Sequence, residues 1–349
     1  MKLSEFRYIS PKSSVAKFPA DPRDSAKMMV LNKANGEIED KVFKDIMDYF
    51  QKGDCIVLND TRVFPARVFG KKEKTNAKIE VMLLRELKAQ ERIWDVLVEP
   101  ARKVRIGNKI YFDNNKFYCE VVDNTTNRGR TVRFSYDGDL FKVIERIGEM
   151  PLPGYIKRDP TEHDKETYQC VFANPEKTAS IAPPTAGLHF TQKMLKELDK
   201  KGVRIAYVSL NIGQGIFENI EVEDLTKHRM YSEYFEITKD NADTINKSLK
   251  SKKNVYAVGC SVARALEASV LTTGSVKPNR GWTDKFIYPP YEFKIANRFI
   301  TNFHPPATPS ILLSAAFAGK ELLFKAYKRA IKGDYRLFAY GDAMLIINE

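Results

Sequence analysis

The sequence contains few of the residues from which metal sites and disulfide frameworks are built. Its 349 residues include 4 cysteines and 4 histidines. The cysteines are far apart with no CxxC pair, and the histidines are equally scattered. This spacing indicates neither a zinc site nor a disulfide framework.

Long apolar runs are also missing. No run approaches the ~20 residues that a membrane-spanning helix requires. The first ten residues carry charges at Lys2, Glu5 and Arg7 and lack the apolar centre of a signal peptide. We therefore expect a cytoplasmic protein that does not associate with membranes. The length is sufficient for two domains, and 43% hydrophobic residues can fill ordinary cores.

Several well-known catalytic motifs are absent. The chain has no GxxxxGK[ST], HExxH or GxSxG pattern, and GQGIFE at 213–218 has only the first half of GxGxxG. A P-loop enzyme, a metalloprotease and a dehydrogenase are therefore disfavoured.

Positive charge is in excess, with a formal net charge of +12. Lys and Arg supply the sequence-independent part of phosphate binding, so this excess is compatible with an RNA or DNA partner. A solvated lysine-rich surface would give the same charge, and charge alone leaves both interpretations open.

The pattern of apolar residues predicts an α/β main domain, residues 1–63 and 150–349, interrupted by an insert at 64–149. In the main domain, strands are predicted at 28–31, 54–60, 203–212, 254–259 and 298–303. In the insert, short strands at 77–84, 93–100, 109–113, 117–123 and 131–137 alternate with turn signals, one of them at 124–129. Such spacing is typical of a small antiparallel barrel or sandwich.

Other local patterns predict helices and turns. A hairpin turn is expected at Asn35-Gly36, and a helical face from Val42 to Phe50. Further helices are predicted after the cap Thr191, at 262–274 with Gly274 as its stop, and at 320–333. The tail at 335–347 resembles another strand.

Polar residues follow four of the predicted strands. They occur around Asp60, at 211–215, at 259–261 and at 301–304. Because ligands bind outside the carboxyl ends of strands in open α/β sheets, these four ends are expected to meet at one crevice. The segment 181–191, IAPPTAGLHFT, reads as a shaped loop, since Pro183 and Pro184 fix two φ angles. A tight connection before a helix would explain it equally well.

A set of polar side chains near these ends provides candidate site residues. It supplies two histidines for proton transfer, carboxylates for a cation or ribose hydroxyls, and arginines for a carboxylate or phosphate. The set is Asp60, Arg62, His189, Glu233, Arg264, Asn302, His304 and Asp342. Structural roles are the alternatives: a surface pair for Arg264 and Glu267, an Asx turn for Asp342, and a backbone-satisfied strand end for His304.

Eight blocks in order resemble the S-adenosylmethionine:tRNA ribosyltransferase-isomerase family of queuosine biosynthesis. They are LNDTRVFPARVFG (58–70), PTAGLHF (184–190), SEYFEI (232–237), RALEAS (264–269), FIYPPYEF (286–293), TNFH (301–304), AAFAG (315–319) and YGDAMLI (340–346). No single block would suffice, but together they run almost from end to end.

The resemblance implies a cytoplasmic enzyme with an α/β main domain and an inserted small antiparallel β-barrel domain. The expected partners are S-adenosylmethionine as co-substrate and a tRNA bearing 7-aminomethyl-7-deazaguanine at the wobble position. The expected product is epoxyqueuosine, with adenine and methionine released. No metal and no prosthetic group are expected, and the protein is expected to be a monomer.

Site residues are carried over block by block. We expect His304 or His189 to act as base or acid, Asp60 and Glu233 to lie near the cation or ribose, and Arg264 to lie near an anionic group. The remaining binding residues implied by the blocks are Asn59, Arg62, Thr185, Gly187, Asn302 and Asp342.

The chain also departs from the family pattern at several positions. They are Pro183, Asn211, the run Cys260, Ser261 and Val262, Pro305, and Thr308-Pro309. These departures leave a second hypothesis open, a non-catalytic member of the same fold that binds tRNA or an adenosyl ligand. A general basic RNA-binding module is weakened because the aromatic residues form no recognisable stacking motif.

Overall fold

The computed structural model describes residues 1–125, 128–216 and 219–349. The strands in these residues are β1 (Lys27–Asn32), β2 (Ile38–Val42), β3 (Cys55–Asn59), β4 (Arg62–Val63), β5 (Arg67–Lys72), β6 (Lys78–Lys88), β7 (Ile93–Glu99), β8 (Lys109–Phe112), β9 (Phe117–Asn124), β10 (Gly129–Ser135), β11 (Thr178–Ser180), β12 (Arg204–Leu210), β13 (Glu233–Ile237), β14 (Val255–Val258), β15 (Asn279–Thr283), β16 (Arg298–Asn302) and β17 (Ala343–Ile347). The α-helices are α1 (Leu140–Ile147), α2 (Asp164–Thr167), α3 (Gln192–Lys200), α4 (Lys239–Lys250), α5 (Cys260–Ala268), α6 (Pro309–Ala318) and α7 (Lys320–Lys332). The 3-10 segments are Leu3–Phe6, Lys12–Ser14, Arg23–Ser25, Phe43–Tyr49, Ala101–Lys103, Asp113–Asn115, Pro175–Lys177, Thr185–His189, Gln214–Ile216 and Leu225–Lys227.

Two sequence features extend beyond these residues. The turn expected at 124–129 includes 126–127, and the half-motif at 213–218 includes 217–218, which lie outside the described residues.

The main domain is built on a nine-stranded mixed sheet. Its strand order is β15-β13-β12-β3-β14-β16-β17-β1-β2. The four neighbours β12, β3, β14 and β16 are mutually parallel, whereas β13, β15, β17 and β2 introduce antiparallel pairs. The carboxyl ends of the four predicted strands therefore lie at one edge of the sheet, as the sequence indicated.

Alternating side chains of the sheet enter two different cores. In β3, Cys55 and Val57 pack in the core beneath α4 to α7, while Ile56 and Leu58 pack in the core formed with α3 and Phe43–Tyr49. Successive side chains of a strand point to opposite faces, so a strand covered on both sides must be apolar throughout. This requirement explains the uninterrupted apolar run in β3.

The insert forms a closed antiparallel barrel, which decides between the barrel and the sandwich. Its order is β10-β7-β6-β5-β8-β9, and its interior is a separate apolar cluster that also includes Leu140 and Ile144 of α1. Strand β5 was not among the predicted strands. Together the sheet and the barrel confirm the fold class, an α/β main domain with an inserted small barrel.

The two ends of the barrel insert are held together by backbone hydrogen bonds. The Arg67 N–H donates to the Glu149 carbonyl at 3.2 Å, and the Glu149 N–H donates to the Arg67 carbonyl at 2.8 Å. The pairing of β4 with β11 lies next to this junction. We retain the division into 1–63 with 150–349 and 64–149 as a proposal.

Three local predictions were wrong in extent. Val42 ends β2, pairing with Lys27, and a 3-10 segment rather than an α-helix follows it. Helix α5 ends at Ala268 because Val270 pairs with Val276, and this places Gly274 in the intervening turn. In the tail, residues 335–342 are irregular, with a single bridge between Leu337 and Val15, and β17 is confined to Ala343–Ile347.

Two features are absent from the described residues. No helix in them is long and apolar enough to cross a membrane. Nor do they contain a group of three or more His, Cys, Asp or Glu side chains that could hold a metal ion.

Candidate active site

A cavity with about 1070 Å³ of empty space, including its opening to solvent, lies at the carboxyl edge of the parallel strands. Leu210 ends β12, Gly259 to Ser261 follow β14, and Thr301 and His304 belong to the end of β16 and the turn beyond it. The loop at 183–186 closes another side. Three of the four predicted strand ends therefore line one cavity directly.

The loop that contains PTAGLH is a 3-10 segment from Thr185 to His189. The Gly187 N–H donates to the Pro184 carbonyl at 2.7 Å. A Cβ on Gly187 would lie 2.7 Å from Phe172 Cζ and 2.8 Å from Cys170 Sγ. Glycine is therefore required here by close packing, and the resulting turn presents Thr185 to the cavity.

Two helices begin at the wall of the cavity. Gly259 has φ +88°, a conformation that favours glycine, and it connects β14 to the first turn of α5. The Thr308 hydroxyl accepts a hydrogen bond from the Ile311 N–H and caps α6. Because the N-terminus of a helix carries partial positive charge, both starts favour an anionic group in the cavity.

His304 is held in the wall through its backbone. Its N–H donates to Tyr327 Oη at 2.7 Å, and its carbonyl accepts from Tyr8 Oη at 2.6 Å. The imidazole Nε2 lies 2.7 Å from Thr301 Oγ1 and 3.5 Å from Cys260 Sγ. The ring is thus oriented by side chains from both β16 and α5.

The imidazole and the thiol are both uncharged at neutral pH. Burial lowers the pKa of His304 to about 3 and raises the pKa of Cys260 to about 11. A neutral imidazole has a lone pair available to accept a proton, although a pKa this low makes it a weak base.

Glu233 and Arg264 form a buried ion pair that lines the cavity. The second carboxylate oxygen of Glu233 accepts from the Gly213 N–H at 2.8 Å, and Arg264 Nε donates to the Lys285 carbonyl at 3.0 Å. These bonds connect β13, α5 and the segment after β15. The surface pair considered for Arg264 is wrong, because Glu267 is buried and accepts from Tyr291 and the backbone at 294–295.

Asn59 lies one layer behind the cavity. Its side-chain NH₂ group donates to Ser261 Oγ at 3.1 Å and to the Leu210 carbonyl at 3.0 Å. Ser261 lines the cavity, so Asn59 positions a cavity residue without itself lining the cavity. The next residue, Asp60, accepts from Ser209 Oγ at 2.6 Å and pairs with Lys177 at 3.1 Å, away from the cavity lining.

His189 and Asn302 form a second buried pair behind the cavity. The Asn302 NH₂ group donates to the Phe338 carbonyl at 3.1 Å, which leaves its oxygen as the acceptor for His189 Nε2 at 3.2 Å. This network assigns the proton of neutral His189 to Nε2. Burial lowers the pKa of His189 to about 4, with the Asn302 bond acting in the opposite direction.

The remaining candidates lie outside the cavity lining. Arg62 is half-exposed and lies 3.4 Å from Glu145. Asp342 is buried, accepts from the backbone N–H groups of Lys27 and Arg336, and pairs with the Arg336 guanidinium at 3.1 Å. Of the expected residues, the cavity lining therefore brings together Thr185, Glu233, Arg264 and His304.

Sequence reasoning missed part of the wall. Tyr155, Met230, Lys285 and Phe286 line the cavity but were not among the candidates. For Phe286 a signal existed, since it opens the FIYPPYEF block. Tyr155 and Met230 lie in irregular segments, where no periodicity indicates which residues face inward.

Several residues that differ from the family pattern still form hydrogen bonds. Thr308 donates to the Pro305 carbonyl at 2.8 Å and caps α6, with Pro309 at the first helical position, where its missing N–H is not needed. Asn211 lies 3.3 Å from Thr61 Oγ1. Pro183, Cys260 and Pro305 line the cavity, whereas Val262 is fully buried.

The sequence profile of the queuosine biosynthesis protein family matches residues 3–346. The chain belongs to this family. Similar proteins of the family are named S-adenosylmethionine:tRNA ribosyltransferase-isomerase. One from Cytophaga hutchinsonii is 56% identical, covering 99% of this chain and all of that protein. Another, from Chloroherpeton thalassium, is 55% identical with the same coverage.

A solved structure of the family has the same fold. The crystal structure of S-adenosylmethionine tRNA ribosyltransferase from Thermotoga maritima is 30% identical, with a TM-score of 0.54, and covers 98% of this chain and all of that one. The similarity therefore includes both the sheet and the barrel.

Proposed function

We propose that this chain is an S-adenosylmethionine:tRNA ribosyltransferase-isomerase of queuosine biosynthesis. It transfers and isomerises the ribosyl moiety of S-adenosylmethionine onto 7-aminomethyl-7-deazaguanine at the wobble position of tRNA. The products are epoxyqueuosine in the tRNA, adenine and methionine. The observation that carries this proposal is the family match over 3–346, together with full-length relatives that bear the enzyme's name.

The reaction requires proton removal from the carbon next to the sulfonium, departure of adenine and placement of the amine nucleophile. His304 is our candidate for the proton transfer, because it is neutral, lines the cavity and is held by Thr301. His189 lies behind the wall and is bonded to Asn302, so in this proposal it supports the loop that carries Thr185.

Different parts of the cavity fit different parts of S-adenosylmethionine. The N-termini of α5 and α6 suit the methionine carboxylate, since both present partial positive charge. Met230, Phe286 and Ile287 form an apolar wall for adenine. In this proposal Glu233, which lines the cavity and is held by Arg264, accepts hydrogen bonds from ribose hydroxyls.

The remaining expectations are part of the same proposal. S-adenosylmethionine acts as a co-substrate, the enzyme needs no metal and no prosthetic group, and it works in the cytoplasm as a monomer. Asn59 positions Ser261, and the more distant Asp60, Arg62, Gly187 and Asp342 stabilise the surrounding framework.

One assay tests the proposal. The protein is incubated with S-adenosylmethionine and tRNA that carries 7-aminomethyl-7-deazaguanine, and the reaction is analysed for free adenine and for epoxyqueuosine in digested RNA. Both products should appear together. Binding of both substrates without either product would overturn the enzymatic function.

His304→Ala tests the assignment of the proton transfer. Loss of a general acid or base costs roughly 10²–10⁴-fold in rate. Full turnover by the variant would remove His304 from the mechanism. His163→Ala, at an exposed histidine, is the matched control and should retain full turnover.

The non-catalytic alternative has no observation in its favour. Cys260 and Thr308, which differ from the family pattern, form hydrogen bonds and do not block the cavity. Relatives at 48–56% identity bear the enzyme's name.

A further inference from the structure

A second, larger cleft adjoins the cavity. It has about 2640 Å³ of empty space, including its opening to solvent, and lies between the barrel and the main domain. The barrel contributes residues such as Arg67 and Arg128, and the main domain contributes the connector at 151–160 and the segment at 219–231. We call it the basic cleft.

The basic cleft and the cavity share two walls. Tyr155 lines the cavity, while its neighbours Gly154 and Ile156 line the basic cleft. In the same way, Met230 lines the cavity between two residues of the cleft, Arg229 and Tyr231. In each segment consecutive residues line the two spaces alternately, so the two spaces are adjacent.

A histidine lies in the wall between them. His228 lines the basic cleft, and its ring packs against Phe286 of the cavity with centroids 4.8 Å apart. Its Nε2 is buried and has no hydrogen-bond partner among the described residues. This unpaired polar atom therefore lies inside the wall that separates the cleft from the cavity.

The charge of the basic cleft is predominantly positive. Its lining contains six Lys or Arg side chains against three Asp or Glu. Arg67, Arg128 and Arg158 are held in ion pairs with carboxylates. The other three cations, which are Lys157, Lys227 and Arg229, are exposed and form no hydrogen bond or ion pair through their side chains with the described residues.

We propose that the basic cleft is the path along which the single-stranded loop of the tRNA reaches the cavity, with Lys157, Lys227 and Arg229 binding its phosphates. This inference rests on the proposed function, which requires a tRNA base to enter the cavity. Sequence-specific proteins bind RNA loops whose unstacked bases can be extended into pockets, and Lys and Arg neutralise the backbone. The adjacent cavity would receive the base while the cleft holds the flanking phosphates.

A second basic surface provides the comparison. Helix α7 carries Lys325, Lys328 and Lys332, which are exposed and line a separate depression beside Asp40 and Tyr335. Unlike the basic cleft, this depression has no lining residue that is a sequence neighbour of a cavity-lining residue. Positive charge alone would favour both surfaces equally, but contiguity with the cavity favours the basic cleft.

The experiment compares two triple variants with the wild type. The cleft variant combines Lys157→Ala, Lys227→Ala and Arg229→Ala, and the matched control combines Lys325→Ala, Lys328→Ala and Lys332→Ala. Binding of a fluorescein-labelled anticodon stem-loop RNA is followed by anisotropy between about 50 and about 200 mM salt. Calorimetric binding of S-adenosylmethionine and thermal unfolding verify that the cavity and the fold are intact.

The cleft variant should bind the RNA at least about tenfold more weakly at low salt, and its slope of log affinity against log salt should be shallower by about 2. Its affinity for S-adenosylmethionine should be unchanged, and the α7 variant should bind RNA as the wild type does. Equal losses in both variants, or an unchanged cleft variant, would overturn the proposal.

Turnover separates this proposal from the proposed function. If the wild type forms epoxyqueuosine and the cleft variant retains its RNA affinity and salt slope, the cleft proposal fails and the function stands. If the wild type forms no product but the cleft variant alone loses RNA binding, the function fails and the cleft proposal stands.

Discussion

The backbone N–H of His304 donates to the buried hydroxyl of Tyr327 at 2.7 Å, which fixes the turn after β16 against α7. Tyr327→Phe removes the acceptor and leaves a buried N–H unsatisfied, at a cost of about 1–3 kcal/mol. Because the same turn holds the imidazole, we expect kcat to fall with little change in the KM for S-adenosylmethionine. Steady-state kinetics and urea denaturation measure the two effects.

Tyr256→Phe is the matched control for Tyr327→Phe. Tyr256 is also fully buried, and its hydroxyl donates to the Tyr49 carbonyl at 2.5 Å. Its side chain lies in the core on the α3 side of the sheet, outside the cavity lining. It should lose comparable stability and keep its kcat, whereas equal kcat losses would show that Tyr327 acts through stability alone.

The buried pair of Glu233 and Arg264 should be strongly coupled. Removing one charge leaves the other buried and uncompensated, which costs roughly 3–5 kcal/mol. We expect Glu233→Gln and Arg264→Met each to destabilise the protein, and the double variant to lose less than the sum. A double-mutant cycle by urea denaturation gives the coupling free energy directly.

An exposed pair supplies the reference for this cycle. Lys239 and Asp243 lie one helical turn apart on α4, with a separation of 2.6 Å. Lys239→Met should leave the free energy of unfolding within experimental error, because exposed pairs contribute little. A coupling free energy between Glu233 and Arg264 as negligible as the effect of Lys239→Met would contradict the buried geometry.

Gly187→Ala should destabilise the protein by overpacking. The added Cβ would lie 2.7 Å from Phe172 and 2.8 Å from Cys170, and such insertions cost about 1–3 kcal/mol. Gly154→Ala is the control, since nothing lies within 4 Å of its Cβ position. Thermal unfolding of the two variants should differ clearly, and equal midpoints would show that the loop adapts without cost.

Two histidines should make stability depend on pH between about 4 and 6.5. Burial lowers the pKa values of His304 and His189 from 6.5 to about 3 and about 4. As the pH falls below 6.5, the unfolded chain binds protons that the folded chain does not. The free energy of unfolding should therefore decrease, by on the order of 1–2 kcal/mol per histidine at pH 5.

Urea denaturation at pH 7.5 and 5 tests this dependence. His189→Gln should reduce the difference between the two values, because it removes one of the proton sites that only the unfolded chain fills. His163→Gln, at an exposed histidine, should leave the difference unchanged. An equal difference in wild type and His189→Gln would refute the expected role of His189.

The sheet could be predicted from the sequence because each of the predicted strands is marked by its own residues. Cys55 to Leu58 are all apolar, as a strand covered on both faces must be, and polar residues follow directly at the strand end. The convergence of several such ends on one cavity then follows from parallel pairing. His304 was found in this way.

The other parts of the site could not be predicted, because they depend on contacts between segments that are distant in sequence. The spacing of Arg264 and Glu267 favours a surface pair, yet α5 is buried on several sides and each side chain finds a partner on another element. Met230 lies in an irregular segment that is held by the N-terminus, where the Leu3 N–H donates to the Glu223 carbonyl at 2.8 Å. The spacing of apolar residues in α5 and in the segment around Met230 does not indicate such contacts.

The shared walls at Tyr155 and Met230 have a thermodynamic consequence. A small ligand that orders these residues from the cavity also orders the adjoining surface of the basic cleft. RNA that binds in the cleft then loses less conformational entropy, because these residues are already ordered, and it binds more tightly. Linkage requires the effect to be reciprocal, so bound RNA must raise the affinity for the small ligand by the same factor. Binding of either substrate would therefore strengthen binding of the other before the amine and the ribosyl group meet.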